Sequence, residues 1–440
     1  MVCTIITLLL LALCNNMTAQ ETIIQTRHRI LVSTDIGGTD PDDNQSMIHL
    51  LMYANEFDIE GLVSSPSFGE GSKEEILRMI AMYELDLPKL RTGLRKCYGT
   101  KRGKYPTPAY LRSITAQGRK GMPPLCGYST STEGSDKIVD CARKRDKRPL
   151  WVLVWGGLED VAQALHDAPD IAGHIRVYWI GGPNKKWGCN AYNYIAENFP
   201  DLWFIENNAS YRGFVGSQKD MSRYEGGYWE TFMKDAGTMG NDFINYYGGK
   251  VKMGDTPSLL YLMSGNPDNP CSNHWGGRFE VMRQSPKYII TGPLTDRDTV
   301  ACYSVLEWQL QGPDTNINAD SACITLDIAG QQWSGYHIGN GVYSIRYSPK
   351  APGVLDYRIT STVPGFKEQE GILSVGSKWP GNYSVTSHNI TACPIEVGRT
   401  GNWFTDIQDY SSAWQGSPTI AIWRNDIMAD WAQRFGWLKQ

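Results

Sequence analysis

No CxxC pair occurs anywhere in the 440 residues, which excludes a cysteine zinc cluster as an organising element. An excess of one charge is also missing. Lys and Arg number 42 against 46 Asp and Glu, a formal net charge of −4. That balance gives no electrostatic reason to expect nucleic acid or an anionic membrane as a partner. The basic clusters Lys101–Lys104 and Arg143–Arg148 are short and isolated and read as solvated surface loops. There is no internal repeat and no low-complexity tract. Ile5–Leu13 is an apolar run too short to cross a bilayer, and no other segment is long and apolar enough.

The chain is too long for one ordinary core, so two domains are expected. Aromatics are plentiful, with 15 Trp and 23 Tyr, which suits contact with the apolar C–H faces of sugar rings as well as core packing. Ile5–Leu13 followed by Met17-Thr18-Ala19 reads as a signal peptide over residues 1–19, although a basic leading region is missing. Cys14 also raises a lipoprotein signal, for which Leu13 is bulky, so plain export to a secreted or periplasmic location is the expectation. Outside that segment eight cysteines remain, an even number that favours disulfides in an exported chain. Connectivity is not readable, and Cys302 with Cys323 is the best single pairing.

Arg29–Asp35 is a short apolar run ending in an acid, the pattern of a buried strand whose C-terminal end faces a site. Pro41 can start a helix with Met47, Ile48, Leu50, Leu51 and Met52 on its apolar face. Ile59–Ser64, Leu150–Trp155, Arg176–Ile180 and Leu202–Glu206 read as further strands, with helices over Glu74–Leu85 and Leu158–His166. This alternation predicts an α/β fold with a mostly parallel sheet flanked by helices. Ligands then sit at the strand C-termini, where Asp35, Trp155 and Gly181 fall. From about Gln284 the texture changes. Lys287–Thr291, Thr299–Glu307, Cys323–Ile328, Gly341–Tyr347, Val354–Thr360 and Gly371–Val375 predict an antiparallel β-sandwich. Ala421–Phe435 then reads as an amphipathic helix.

Asp35, Asp40, Asp42 and Asp43 lie within nine residues. Like charges this close must be neutralised, and a hard divalent cation such as Ca²⁺ does so with oxygen ligands. A solvated acidic loop with a helix cap explains the segment equally well on its own.

Further blocks decide between these readings. Ser33-Thr34-Asp35 followed by Asp42-Asp43 resembles the opening signature of the inosine–uridine-preferring nucleoside hydrolases. Leu150–Leu158, Gly181–Asn184, Asn190–Asn193 and Gly254–Pro257 are similar to later blocks of that family, in order. Pro41-Asp42-Asp43, Tyr53–Gly61, Trp275–Arg278, Trp403 to Asp406 and Trp423–Asp426 are similar to a subfamily of cellulose-binding proteins with a nucleoside-hydrolase-like domain. The resemblance covers about residues 28–280 and 400–438. Gly341–Pro349 and Pro352-Gly353 look like an Ig-like accessory domain. The expected organisation is a hydrolase-like domain over 20–284, an inserted Ig-like sandwich over 285–376, and a return segment over 377–440 that ends in a helix packed on the first domain.

The resemblance implies a calcium site made by Asp35, Asp43, Asp255 and the carbonyl of Trp155. It implies that Asp35 takes the proton of the attacking water. Asp42, Asn193 and Asn184 would bind sugar hydroxyls. Asp42 follows Asp35 by seven positions, a wider spacing than the family's, so Asp40 is a further candidate for metal or sugar. Ala191 replaces an acid, Gly254 stands where purine-cleaving members carry a His, and Ser64–Phe68 replaces an Asn-bearing loop. His274 and Trp275 are candidates for substrate contact. His49, inside an apolar helix face, reads as packing. The implied function is a secreted calcium-dependent glycosidase acting on a glycan or glycoside with a cis-diol, typically a furanoside. The alternatives are a carbohydrate-binding protein without activity and a nucleoside hydrolase. Whether the chain forms a homo-oligomer stays open.

Overall fold

The computed structural model describes residues 27–67, 69–99, 102–215, 227–282, 287–380, 387–393 and 401–439. The expected signal segment, with Cys3 and Cys14, lies outside the described residues, as does Phe68 of the early loop. Seven strands come first: β1 (His28–Thr34), β2 (Phe57–Ser64), β3 (Thr115–Gln117), β4 (Leu150–Val154), β5 (Ile175–Ile180), β6 (Trp203–Asn207) and β7 (Phe279–Val281). Then follow β8 (Lys287–Ile290), β9 (Thr299–Ala301), β10 (Val305–Gln311), β11 (Ala322–Ile328), β12 (Gln331–His337), β13 (Val342–Tyr347), β14 (Gly353–Ser361), β15 (Gln369–Gly376) and β16 (Ile390–Cys393). The last is β17 (Trp403–Asp406).

The first sheet has the order β3-β2-β1-β4-β5-β6-β17-β7. All its pairings are parallel except β17 with β7. Every residue of Leu150–Val154 is buried, as a strand covered on both faces by helices requires. The parallel order puts the loops after β1, β4, β5, β6 and β17 along one edge. The helix Asp42–Met52 begins one residue later than expected, with Pro41 as its N-cap. The helix predicted over Glu74–Leu85 continues through Pro88 to Tyr98, and the last helix is Arg424–Leu438.

The remaining nine strands form a mainly antiparallel second sheet, in the order β16-β8-β10-β13-β12-β11-β14-β15-β9. It folds over on itself. Trp308 of β10 lies 5.2 Å from Tyr357 of β14, although four strand spacings, roughly 19 Å, separate them along the sheet. In chain order this sheet lies between β7 and β17 of the first sheet. It also continues past residue 376, because β16 pairs with β8. The single strand expected over Thr299–Glu307 is broken at Tyr303, whose φ is 60°, so that β9 joins β15 while β10 joins β8 and β13. β12 went unseen because Gln331-Gln332-Trp333-Ser334-Gly335 is polar and ends in glycine.

The eight described cysteines are all free, which corrects the expectation of disulfides. The suggested pair Cys302 and Cys323 is not formed. Cys302 follows β9 and Cys323 is in β11, and each is a buried free thiol.

One buried network ties the returning strand to the first sheet. Glu206 of β6 and Lys185 form an ion pair with both side chains fully buried. Tyr192 Oη and Trp403 Nε1 donate to the same carboxylate at 2.9 and 3.0 Å, and Asn208 Nδ2 at 3.1 Å. Removing one partner strands the other charge without water, which costs roughly 3–5 kcal/mol. Glu206→Gln and Lys185→Met should therefore each lower stability by about that amount, and the double variant by less than their sum. Urea unfolding checks this, and single variants with unshifted midpoints would contradict it.

Candidate functional site

The end of β1 and the N-terminus of the next helix meet at one point. Asp35 follows β1, and Asp42 and Asp43 occupy the helix's first turn, where the helix dipole favours negative charge. Asp255 stands at the N-cap of the helix Thr256–Met263, and its own side chain makes no cap bond. Carboxylate oxygens of Asp42, Asp43 and Asp255 all come within 4.8 Å of one another. Asp35 adjoins them, in hydrogen-bond contact with Asp43 and Ser67. Its approach to the end of β4 needs Gly156, because a Cβ there would stand 2.7 Å from Asp35 Cβ.

Burial raises all four carboxyls above their ordinary range. Asp42 is pushed up to about 7, with Lys252 opposing the shift and Asp40 and Asp35 adding to it. Asp43 and Asp255 are held well above the ordinary carboxylate range, by burial first and then by their acidic neighbours. Asp35 is raised by burial, against hydrogen bonds that hold it down. Asp255 is 3% exposed, and its Oδ2 has no hydrogen-bond partner among the described residues. A buried carboxylate oxygen left without a donor fits a bound cation. The donors are hard oxygens throughout, which suits Ca²⁺.

The other expected residues fall into two groups. Trp155 and Asn184 are at the site. Asn184 Nδ2 donates to the Trp155 carbonyl at 2.8 Å and to Ile180 O at 3.0 Å, and its Oδ1 accepts from Ser67 Oγ at 2.7 Å. The Trp155 carbonyl keeps a second lone pair for another partner. Asp40 is exposed at the rim, paired with Lys252, so it is not one of the buried carboxylates. Lys252 also reaches Asp42 at 3.4 Å; burial works to lower its pKa, but Asp42 and Asp40 outweigh this and hold it raised.

Asn193, His274 and Trp275 lie elsewhere. Asn193 donates to Glu197 one helical turn on, and Glu197 pairs with Lys287 of the second sheet. Its side chain is therefore spent along its own helix. His274 stacks on Tyr261 at 4.2 Å, and its ring nitrogens face the carbonyls of Ser272 and Asn266, each at 2.9 Å. Tyr261 is near the C-terminal end of the helix that Asp255 begins, so His274 sits at the wrong end of it. Trp275 lines a cleft with His28 and Phe57, the starts of β1 and β2, at the opposite edge of the sheet. His49 packs edge-on to Trp431 at 5.3 Å, as expected of a core residue.

Four contributors were not expected from sequence. Ser67 links Asp35 to Asn184. Lys252 supplies the positive charge beside Asp42. Gln45 Oε1 accepts from the backbone of Lys252 and Met253 at 2.8 and 3.0 Å, which sets the loop before Asp255. Glu159 is 2% exposed with an unpartnered Oε2, and burial, with Asp160 and Asp35 adding, raises it to about 8. Its place after Gly156-Gly157 at a helix start was the available signal.

No curated protein matches the chain. Among solved structures, a nucleoside hydrolase-related hypothetical protein from Saccharophagus degradans, described as associated with carbohydrate metabolism, is 19% identical. That similarity covers 80% of this chain and 100% of the other, with a TM-score of 0.48. An inosine-uridine preferring nucleoside hydrolase from Bacillus anthracis is 15% identical over 58% of this chain and 85% of its own, with a TM-score of 0.39. A purine-preferring ribonucleoside hydrolase from Gardnerella vaginalis is 13% identical over 58% of this chain and 83% of its own, with a TM-score of 0.34. Residues 299–362 match a family described only as a domain of unknown function. Residues 29–279, more than half of the chain, match the family model described as cellulose-binding Sde182, nucleoside hydrolase-like domain, and the chain belongs to that family.

Proposed function

We propose that this chain is an exported, calcium-dependent glycosidase that cleaves a glycan or glycoside at a cis-diol sugar, typically a furanosyl unit. The observation that carries the reading is the orphaned oxygen of Asp255 facing Asp42 and Asp43 in a buried cluster. Asp35, Asp43, Asp255 and the Trp155 carbonyl would hold the ion, and Asp42 is close enough to join them or to bind a sugar hydroxyl. Calcium bound there supplies positive charge that orients vicinal hydroxyls and acidifies water. Asp35 would take the proton of the attacking water, with Ser67 beside its carboxylate. The remaining carboxylates favour the positive charge that develops on the sugar ring. Export rests on the apolar run Ile5–Leu13.

A second reading, a carbohydrate-binding protein without turnover, is favoured by one observation. The Asn184 amide already occupies one side of the Trp155 carbonyl, and the family description is of binding. Sugar release from a panel of furanosides, nucleosides and polysaccharides separates the two. Asp35→Asn should lower release by about 10²-fold or more while the melting temperature stays within a few degrees. If the native chain releases nothing from any of them, the enzyme reading falls and binding stands.

The carboxyl shifts fix a pH dependence. Their folded pKa values lie above the unfolded value near 3.8, with Asp42 at about 7. The metal-free native state therefore holds more protons than the unfolded state between these values. Its stability contribution is full below about pH 4 and is lost as pH rises through about 7. Calcium competes with those protons, so its stabilising effect should grow with pH. Thermal melting with and without calcium at pH 5 and pH 8 should show the larger gain at pH 8, and Asp255→Asn should abolish most of it. An equal gain at both pH values would count against a site built from these carboxyls.

A further inference from the structure

β17 pairs in parallel with β6, so the loops that follow the two strands leave the sheet at the same edge as Asp35. The loop after β6 carries Tyr211 and Arg212, and the loop after β17 carries Trp414. Asp406, at the end of β17, locks the two together. Its carboxylate accepts from the backbone of Asn208, Ala209 and Ser210 at 3.0, 3.1 and 3.0 Å.

Tyr211 borders the carboxylate cluster. A Cβ on Gly254 would stand 2.6 Å from Asp42 Oδ2 and 3.8 Å from the Tyr211 ring, so the ring and the carboxylate flank the same glycine. The Arg212 guanidinium lies 5.2 Å from the centre of the Tyr211 ring and 3.9 Å from the centre of Trp414. Tyr211, Arg212 and Trp414 thus run outward from Asp42 as a continuous line of flat groups. At its outer end Trp414 remains 37% exposed. Its backbone is not loose. Ser412 Oγ donates to Trp414 O at 2.8 Å, and Ser417 N donates to the same carbonyl at 3.1 Å. Arg212 Nε is buried and makes no hydrogen bond among the described residues, so donation to a ligand would fall to the terminal guanidinium nitrogens.

A single exposed indole needs no explanation. This one has its plane set by a guanidinium on one side, is held on a bonded loop, and lies beside a buried site. An indole face attracts polarised C–H groups, and a guanidinium edge donates to hydroxyl oxygens. A sugar ring presents both.

We propose that Tyr211, Arg212 and Trp414 form a second sugar position, which holds the ring next to the one bound at the carboxylates. The ligand is then an oligosaccharide of at least two rings rather than an isolated glycoside. This rests on the reading that the carboxylate cleft takes a sugar.

Calorimetric binding to the calcium-loaded chain tests it with two probes that need no turnover. One is methyl 1-thio-β-ribofuranoside and the other a sulfur-linked ribofuranosyl–xylopyranoside, both resistant to hydrolysis. The native chain should bind the two-ring probe at least about tenfold more tightly than the one-ring probe. Trp414→Ala should bring that ratio close to one, and Trp414→Phe should restore most of it. The calcium-induced melting shift verifies that each variant is folded. One-ring binding with no preference for two rings, or a preference that survives Trp414→Ala, overturns the second position and leaves the cleft reading standing. If neither probe binds while calcium does, the cleft reading fails and the second position with it.

Discussion

Like charges taken out of water are the constraint on which the rest of this site depends. At 5 Å and an effective dielectric near 20, two carboxylates repel by about 3 kcal/mol. A helix N-terminus returns only about 0.3–1 kcal/mol to each acid beside it. The helix starts behind Asp42, Asp43 and Asp255 therefore cannot balance the cluster. Lys252 supplies one positive charge, and it is shared with Asp40 at the rim. The carboxyls must then hold protons or a cation, and these two states differ in the charge they leave on Asp35. Only the second leaves Asp35 free to accept a proton.

The fold holds that cluster together by making its parts come from distant points of the chain. Asp35 ends β1, Trp155 follows β4, and Asp255 begins a helix a hundred residues further on. None of these can relax away from the others without moving a buried strand. The second sheet adds to this rather than hanging from it. Lys186, next to the buried Lys185, bonds Gln331 of β12, and Trp187 packs 4.9 Å from Trp333. The loop after β5 is thus pinned on both sides, by Glu206 beneath and by β12 beyond. That loop also carries Asn184, which bonds the Trp155 carbonyl.

What the amino-acid order reveals here depends on how a residue is placed. Asp35 and Trp155 follow apolar strands of a parallel sheet, so their position at one edge follows from period and topology alone. Asp255 was legible as part of a block with Thr256-Pro257 that starts a helix. Asn193 and His274 were not, because their fate is decided by direction within an element. Asn193 could face the site or the second sheet from the same helix, and its neighbour Glu197 settles the matter. His274 could lie at either end of the helix against which it packs. Ser67 and Lys252 carry no pattern, and their roles arise only when three loops converge. The second sheet's strands were visible by alternation except where Gln, Ser and Gly interrupt it in β12.

Gly254 shows how closely the backbone before Asp255 approaches the Asp42 carboxylate. A His there would need a Cβ at a point only 2.6 Å from Asp42 Oδ2. Real Cβ atoms do not approach an oxygen so closely, and this one belongs to a half-buried carboxylate at the first turn of a helix. Either Asp42 or the residue before Asp255 must give way. The space opposite is filled by the Tyr211 ring, held from behind by Asn207 Oδ1 accepting from its backbone at 2.9 Å. A side chain at 254 would therefore require the Asp42 carboxylate to turn aside, and the chain keeps a glycine there.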